Sequence, residues 1–300
     1  MKSTKSFACI ASTLLSLAVL ASASFAKTHP LSQPSGLAVA SNGDLYVANE
    51  GGNELLVYNT AYSQIPSKTI TQGINKPAAV SFDSQGNLWV GNLLPSDTQY
   101  EYFSEYSAAG KQINIAISEG YFEYFYPTLA VDGVGDVWAT PYYETQDSVS
   151  AFNAPSPYPS GLMDSIYIQP GNYTSVAARG PWVAFGTLTN ASWELVGPFL
   201  TNFPQGYLGS SESVPAGVVA MAFDANFTLY VAGQTGSGDV GIQFINVPAG
   251  GSPVNNITVD YVPSGMAADS IHQRLYVANS NTNQIQVYST TTFQLLATIQ

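Results

Sequence analysis

One stretch near the C-terminus, Pro263 to Ile299, is a complete copy of a pattern that recurs, more worn, five times upstream. It opens PSGMAAD, turns through SIHQ, continues RLYVANSN and runs out through NQIQVYS to LLATIQ. Each piece alternates apolar and polar residues or is a short apolar run, and Asn, Ser and Thr separate the pieces. The unit therefore reads as four short antiparallel strands. The aromatic of the second strand marks the copies: Tyr46, Trp89, Trp138, Trp182, Tyr230 and Tyr276. Four strands in a period of about 40 to 50 residues make a propeller blade and exclude helical solenoids. The expected fold is all-β, a six-bladed β-propeller of four-stranded antiparallel blades.

Residues 1–26 stand outside that pattern. Lys2 and Lys5 precede an apolar run from Phe7 to Leu20, and Ser24-Phe25-Ala26 follows the small-x-small rule of signal peptidase. The expectation is a cleaved signal peptide, one propeller domain over residues 27–300, and a secreted or extracytoplasmic location, periplasmic or extracellular. The apolar run is too short for a membrane span. The single cysteine, Cys9, falls inside the leader, so the processed chain has no disulfide and no thiolate nucleophile or ligand. Losing Lys2 and Lys5 deepens the formal charge from −12 to about −14, which repels nucleic acid and anionic membrane surfaces. A monomer is expected.

Asp83, Asp132, Asp224 and Asp269 recur where the first strand of a blade turns into the second, and blade one has Ala40 there. At such a turn an Asp carboxylate accepts backbone N–H bonds while a following Gly supplies positive φ. One turn chemistry repeated in each blade is a requirement of the fold, so these residues are expected to stabilise turns. Blade four, VAARGPWVAFG, has the strand pair without the Asp, and its third strand is expected around Trp193–Val196.

The unit P-x-G-hydrophobic-A-V-D-x-x-G-N-L-Y-V-A-N, followed by an N-x-hydrophobic-x-V-Y strand, resembles the NHL-repeat group of six-bladed propellers, which is similar in build to the gluconolactonase family. The likeness spans residues 27–300, closest in blades one, two, three and six. It implies the fold; related propellers include lactonases, lyases and purely binding modules. In the gluconolactonase-like lactonases, Asn, Asp and Glu ligands hold a divalent cation at the top of the channel, one set following the Pro that opens each inner strand. The matching residues here are Ser35, Ala78, Thr128 and Ser264, none a carboxylate or carboxamide. Similar lyases rely on histidine, of which this chain has two, His29 and His272, far apart along the ring. The expectation is no metal, no cofactor and no catalytic residue that spacing singles out.

Two polar or aromatic sets remain. Asn49, Asn92 and Asn279 end the second strand in three blades. They are expected to satisfy loop backbone groups, with ligand contact at the channel mouth as the second reading. The other set is aromatic: TQYEYFSEY, EGYFEYFYP and PYYE in blades two and three. Phe103, Tyr106 and Phe125 are expected to pack between these blades. Tyr100, Tyr102, Tyr121, Phe122, Tyr124, Tyr142 and Tyr143, interleaved with Glu101, Glu119, Glu123 and Glu144, are expected to meet on one sector of the face carrying the second-to-third-strand loops. Exposed Tyr beside carboxylates suits a sugar ring, a peptide or another protein. The sequence thus favours a binding or scaffolding propeller with a protein, peptide or glycan partner; the alternative is a lactonase-like hydrolase with a divalent cation in its channel.

Overall fold

A computed structural model of the chain describes residues 29–59, 63–93, 102–117, 125–141, 149–152, 162–166, 173–187, 193–196, 207–208, 217–234, 240–247 and 253–300. Blade one holds β1 (Pro34–Val39), β2 (Leu45–Asn49), β3 (Glu54–Tyr58) and β4 (Lys68–Ile70); blade two holds β5 (Pro77–Phe82), β6 (Leu88–Asn92), β7 (Tyr102–Tyr106) and β8 (Gln112–Ile117). Blade three holds β9 (Phe125–Val131), β10 (Val137–Pro141), β11 (Val149–Phe152) and β12 (Leu162–Ile166); blade four holds β13 (Tyr173–Arg179), β14 (Trp182–Thr187), β15 (Trp193–Val196) and β16 (Tyr207–Leu208). Blade five holds β17 (Val218–Phe223), β18 (Thr228–Gln234), β19 (Val240–Asn246) and β20 (Pro253–Val259); blade six holds β21 (Gly265–Asp269), β22 (Arg274–Asn279), β23 (Gln284–Ser289) and β24 (Leu295–Ile299). Each blade is a four-stranded antiparallel sheet with its strands in sequence order. The expected six-bladed all-β architecture is the observed one.

Short apolar strands leave each sheet with two greasy faces, and those faces are buried blade against blade. Among the described residues six apolar clusters result, one per interface. Ala38, Val57 and Ile70 meet Val80, Leu88 and Tyr106; Trp89 and Phe103 meet Leu129 and Val137; Trp138 meets Val176 and Phe185. Ala184 meets Met221 and Leu229, and Tyr230 and Phe244 meet Leu275 and Val277. The sixth cluster joins Leu37, Leu45 and Leu56 of blade one to Tyr276, Ile285 and Ile299 of blade six. Inner strands pack in the order β1, β5, β9, β13, β17, β21 and back to β1, so the ring closes by face packing.

Residues 29–33 reinforce that closure as a strap. Leu31 is buried in the seam cluster. Asn49 Nδ2 donates to Pro30 O at 3.2 Å, and its Oδ1 accepts from Ser32 N at 2.6 Å. Gly51 N donates to Ser32 O, His29 Nδ1 lies 2.7 Å from Glu54 Oε2, and Gln33 N donates to Asn283 Oδ1 of blade six. No helix among the described residues is long and apolar enough to cross a membrane.

The turn from first to second strand sets the phase of each blade. Gly43, Gly86 and Gly135 adopt φ of 87°, 82° and 98°, where a side chain is strained. Phe227 takes that left-handed position in blade five. Blade four departs from the others: Arg179 pairs directly with Trp182 across a tight turn. Trp182, the expected marker, is consequently a half-buried residue at the strand start.

Candidate functional site: the central channel and its two faces

Because consecutive strands reverse, the second-to-third-strand loops and the blade connections share one face, here the upper face. The first-to-second and third-to-fourth-strand turns share the lower face. The six inner strands run between them and line the channel.

At the upper rim, Ser35 and Ser264, two of the four residues that match the lactonase ligand positions, fasten one blade to the next, and Thr174 at the start of blade four does the same. Ser35 Oγ donates, shared between Ala48 O and Pro77 O at 3.3 Å each, so blade one holds the start of blade two. Thr174 Oγ1 donates to Val218 O, linking blade four to blade five. Ser264 Oγ donates to Pro34 O at 2.6 Å, linking blade six to blade one. Thr128 Oγ1 instead meets Thr140 Oγ1 at 2.6 Å within blade three. A hydroxyl engaged this way does not fit a hard divalent cation that takes six to eight oxygens. No group of three or more His, Cys, Asp or Glu side chains able to hold a metal occurs among the described residues.

The three strand-ending asparagines are buried and serve the loops above them. Asn49 binds Pro30 and Ser32 and also donates to Glu54 Oε1 at 3.1 Å. Asn92 Oδ1 accepts from Asn75 N at 2.9 Å, and its Nδ2 donates to Ser104 Oγ at 3.2 Å. Asn279 Oδ1 accepts from Asn281 N and Thr282 N. All three carry the backbone-satisfying role expected of them.

The lower face is built on the repeated aspartates. Asp132 is the fullest case: Oδ1 accepts from Val134, Gly135 and Asp136 N at 2.9 to 3.0 Å, and Oδ2 accepts from Trp138 Nε1 at 3.0 Å. Asp224 Oδ1 accepts from Asn226 N and Thr228 N, while Tyr230 donates its hydroxyl to Oδ2 at 3.2 Å. Burial, with the Asp224 carboxylate beside it, pushes that phenol well above its ordinary range. Asp269 caps Ile271 N and His272 N and meets His272 Nδ1 at 2.7 Å. In blade two Asp83 Oδ2 takes Asn87 Nδ2 instead, and the buried Trp89 Nε1 has no partner. Burial, reinforced by Asp132, pushes the Asp136 carboxyl up to about 6.

Between the turns the channel widens into a cavity of about 600 Å³ to which all six blades contribute. Val39, Phe82, Ala178, Phe223 and Ile271 reach its mouth, together with Arg179 and the turn carboxylates Asp83, Asp224 and Asp269. Sequence reasoning had no signal for this mouth, because its lining comes from short segments of six blades far apart in the chain.

Of the expected aromatic sector, Tyr100, Tyr121, Phe122, Tyr124, Tyr142 and Tyr143 lie outside the described residues. Tyr102 opens β7, paired with Asn92 and Ile117. Phe103 is buried between blades two and three as expected. Tyr106 is buried between blades one and two instead, with its hydroxyl donating to Gln72 O.

With the fold and both rims described, the chain is a β-propeller, and comparison places an NHL repeat in its first blade: the model of that repeat matches residues 31–58. No curated protein matches the sequence. Three solved structures similar to it are titled "Streptogramin B lyase structure", "Kuenenia stuttgartiensis Hydrazine Synthase" and "Crystal Structure of Mitotic Checkpoint Complex". The first is 13% identical, with a TM-score of 0.58 over 90% of this chain and 84% of the other. The second is 12% identical, with a TM-score of 0.60 over 93% and 89%. The third is 13% identical, with a TM-score of 0.57 over 91% and 82%. At such identities the likeness is one of fold, shared by enzymes and by a protein assembly alike.

Proposed function

We propose that this protein is a secreted, non-catalytic binding or scaffolding propeller that recognises a protein, peptide or glycan through the aromatic sector of blades two and three. The observation that carries the reading is the use of the upper-rim hydroxyls: Ser35 and Ser264, at positions where similar lactonases place cation ligands, fasten one blade to the next, as Thr174 does between blades four and five. A ring stiffened at its mouth suits the rigid display of loops, which is what a binding propeller requires. The mixture of lyase, synthase and checkpoint-complex structures among similar folds is compatible with a scaffold. The sector itself rests on sequence: tyrosines alternating with glutamates and almost no basic residues.

The test is a glycan and secretome-protein array probed with the processed chain, run beside a lactone-hydrolysis assay with Ca²⁺, Mg²⁺ or Zn²⁺. Retention on the array and no metal-dependent turnover is the expected result. Turnover abolished by a chelator overturns the reading.

A further inference from the structure

The lower mouth of the channel has the makings of a second docking site, opposite the face to which the sequence reading assigns the aromatic sector. Each inner strand ends its sheet, so one of its edges has no strand partner. The turn bonds fix which residues look that way. Ala40 N donates to Asp44 O, Asp83 N to Asn87 O, Asp132 N to Asp136 O and Asp224 N to Thr228 O. In an antiparallel ladder the paired and unpaired positions alternate, so the lining residues Val39, Phe82 and Phe223 turn their N–H and C=O groups away from the second strand, toward the channel side. At the same register in blade three the edge is already taken, since Val131 N donates to Ser81 Oγ of blade two at 3.1 Å.

The cavity these edges enclose, about 600 Å³, is of the size that holds a ligand. Its charge is one-sided. Three lining residues are acidic, Asp83, Asp224 and Asp269, the last two with carboxylates buried in their turns, against a single cation among the described lining residues, Arg179, in a chain of net charge −12. A cleft lined by one sign of charge concentrates the opposite sign, and anions are disfavoured here. Apolar surface completes the mouth, with Phe82 and Phe223 half-buried and Ile271 63% exposed. Backbone edges, negative potential and apolar patches together match one class of ligand. We propose that the lower mouth docks one end of an extended, cationic polypeptide, whose main-chain groups pair with the inner strand edges.

The experiment uses the processed full chain and a C-terminally fluorescein-labelled heptapeptide of alternating Lys and Val, followed by anisotropy. Three controls accompany it: the Glu and Val counterpart, an N-methylated version lacking alternate N–H groups, and a salt titration. Ser84→Trp plugs the mouth from an exposed turn position, and Arg179→Glu removes the opposing cation. Expected are binding of the Lys peptide, loss of affinity by about tenfold or more in Ser84→Trp, and a gain of about threefold or more in Arg179→Glu at low salt. N-methylation abolishes binding, and every variant keeps the parental melting temperature. Absence of binding by the parent, equal binding by Ser84→Trp, or preference for the Glu peptide overturns the proposal. Tyr121→Ala separates this site from the aromatic sector, since it leaves binding of the Lys peptide unchanged.

Discussion

The Ser264 hydroxyl donates to the Pro34 carbonyl at 2.6 Å, joining the sixth inner strand to the first across 230 residues of sequence. Beside it, a Cβ on Gly265 would stand 2.0 Å from Ser35 O, so the two strands are closer than any side chain permits. One hydroxyl and one missing methyl group thus add to the face packing that closes the ring. Ser264→Ala should cost about 1 kcal/mol, the net worth of a single hydrogen bond. Gly265→Ala should cost about 3 kcal/mol or more through overpacking against backbone. Urea titration of both variants separates the two effects, and equal losses would contradict this account.

Leu31 and Asn49 make the strap part of the ring. Leu31→Ala removes a buried side chain from the blade six to blade one cluster and should cost about 2 kcal/mol or more. Asn49→Ala leaves the Ser32 N–H and the Pro30 carbonyl without their partner and should make residues 29–33 the first site cut by a protease. Limited proteolysis with mass mapping reads this directly. Cutting elsewhere first would mean the strap does not depend on Asn49.

Asp132 and Trp138 provide an optical report on the turn chemistry. Asp132→Ala deletes four accepted bonds inside a site only 2% exposed and strands the indole N–H. The expected cost is about 3 kcal/mol, from a set of charge-assisted bonds. A change in tryptophan emission should accompany it, since the indole loses its acceptor. Asp83→Ala should cost less, because the Trp89 indole is not bonded to it.

How much of this was legible beforehand follows from what each residue does. The blade period, the second-strand aromatics of five blades and the turn aspartates of blades two, three, five and six are repeated local signals, and they were readable as such. Trp182 stands two residues ahead of the marker position, which Ala184 holds. The shortened turn that VAARGPWVAFG shows brings Arg179 opposite Trp182, and the only aromatic near the strand start is not the one that packs there. Ser35, Thr174 and Ser264 gave no sign of their role, since a serine that fastens two blades is indistinguishable in sequence from one facing water. Tyr106 went to the blade one interface because β7 turns alternate side chains to opposite faces, a parity the aromatic count ignored.

Asp136 should make stability depend on pH. Its carboxyl is raised from an ordinary value of 3.8 to about 6, first by burial and then by Asp132. The folded state therefore binds the proton more tightly than the unfolded chain. The resulting stabilisation is fully present below about pH 4 and is lost as pH rises through about 6. Asp136→Asn should raise the urea midpoint relative to the parent at pH 7.5 and not at pH 4. A parent-minus-variant difference that is constant across this window would refute the assignment.

The aromatic sector offers a test in which the structural and binding readings predict opposite outcomes. If Tyr121, Tyr124 and Tyr142 only pack between blades, each truncation leaves a cavity and should cost about 3 kcal/mol or more. If they form an exposed patch, replacement by Ala should leave the melting temperature nearly unchanged and weaken partner or glycan binding by about 1–2 kcal/mol. The binding reading rests on tyrosines alternating with Glu101, Glu119, Glu123 and Glu144, a pattern that a dry interface between blades does not accommodate without burying charge. The expected result is therefore the second. It is read by thermal melts of Tyr121→Ala, Tyr124→Ala and Tyr142→Ala beside the array on which the parent chain is retained. Large destabilisation in all three, with no ligand retained by the parent, would assign these tyrosines to the packing between blades.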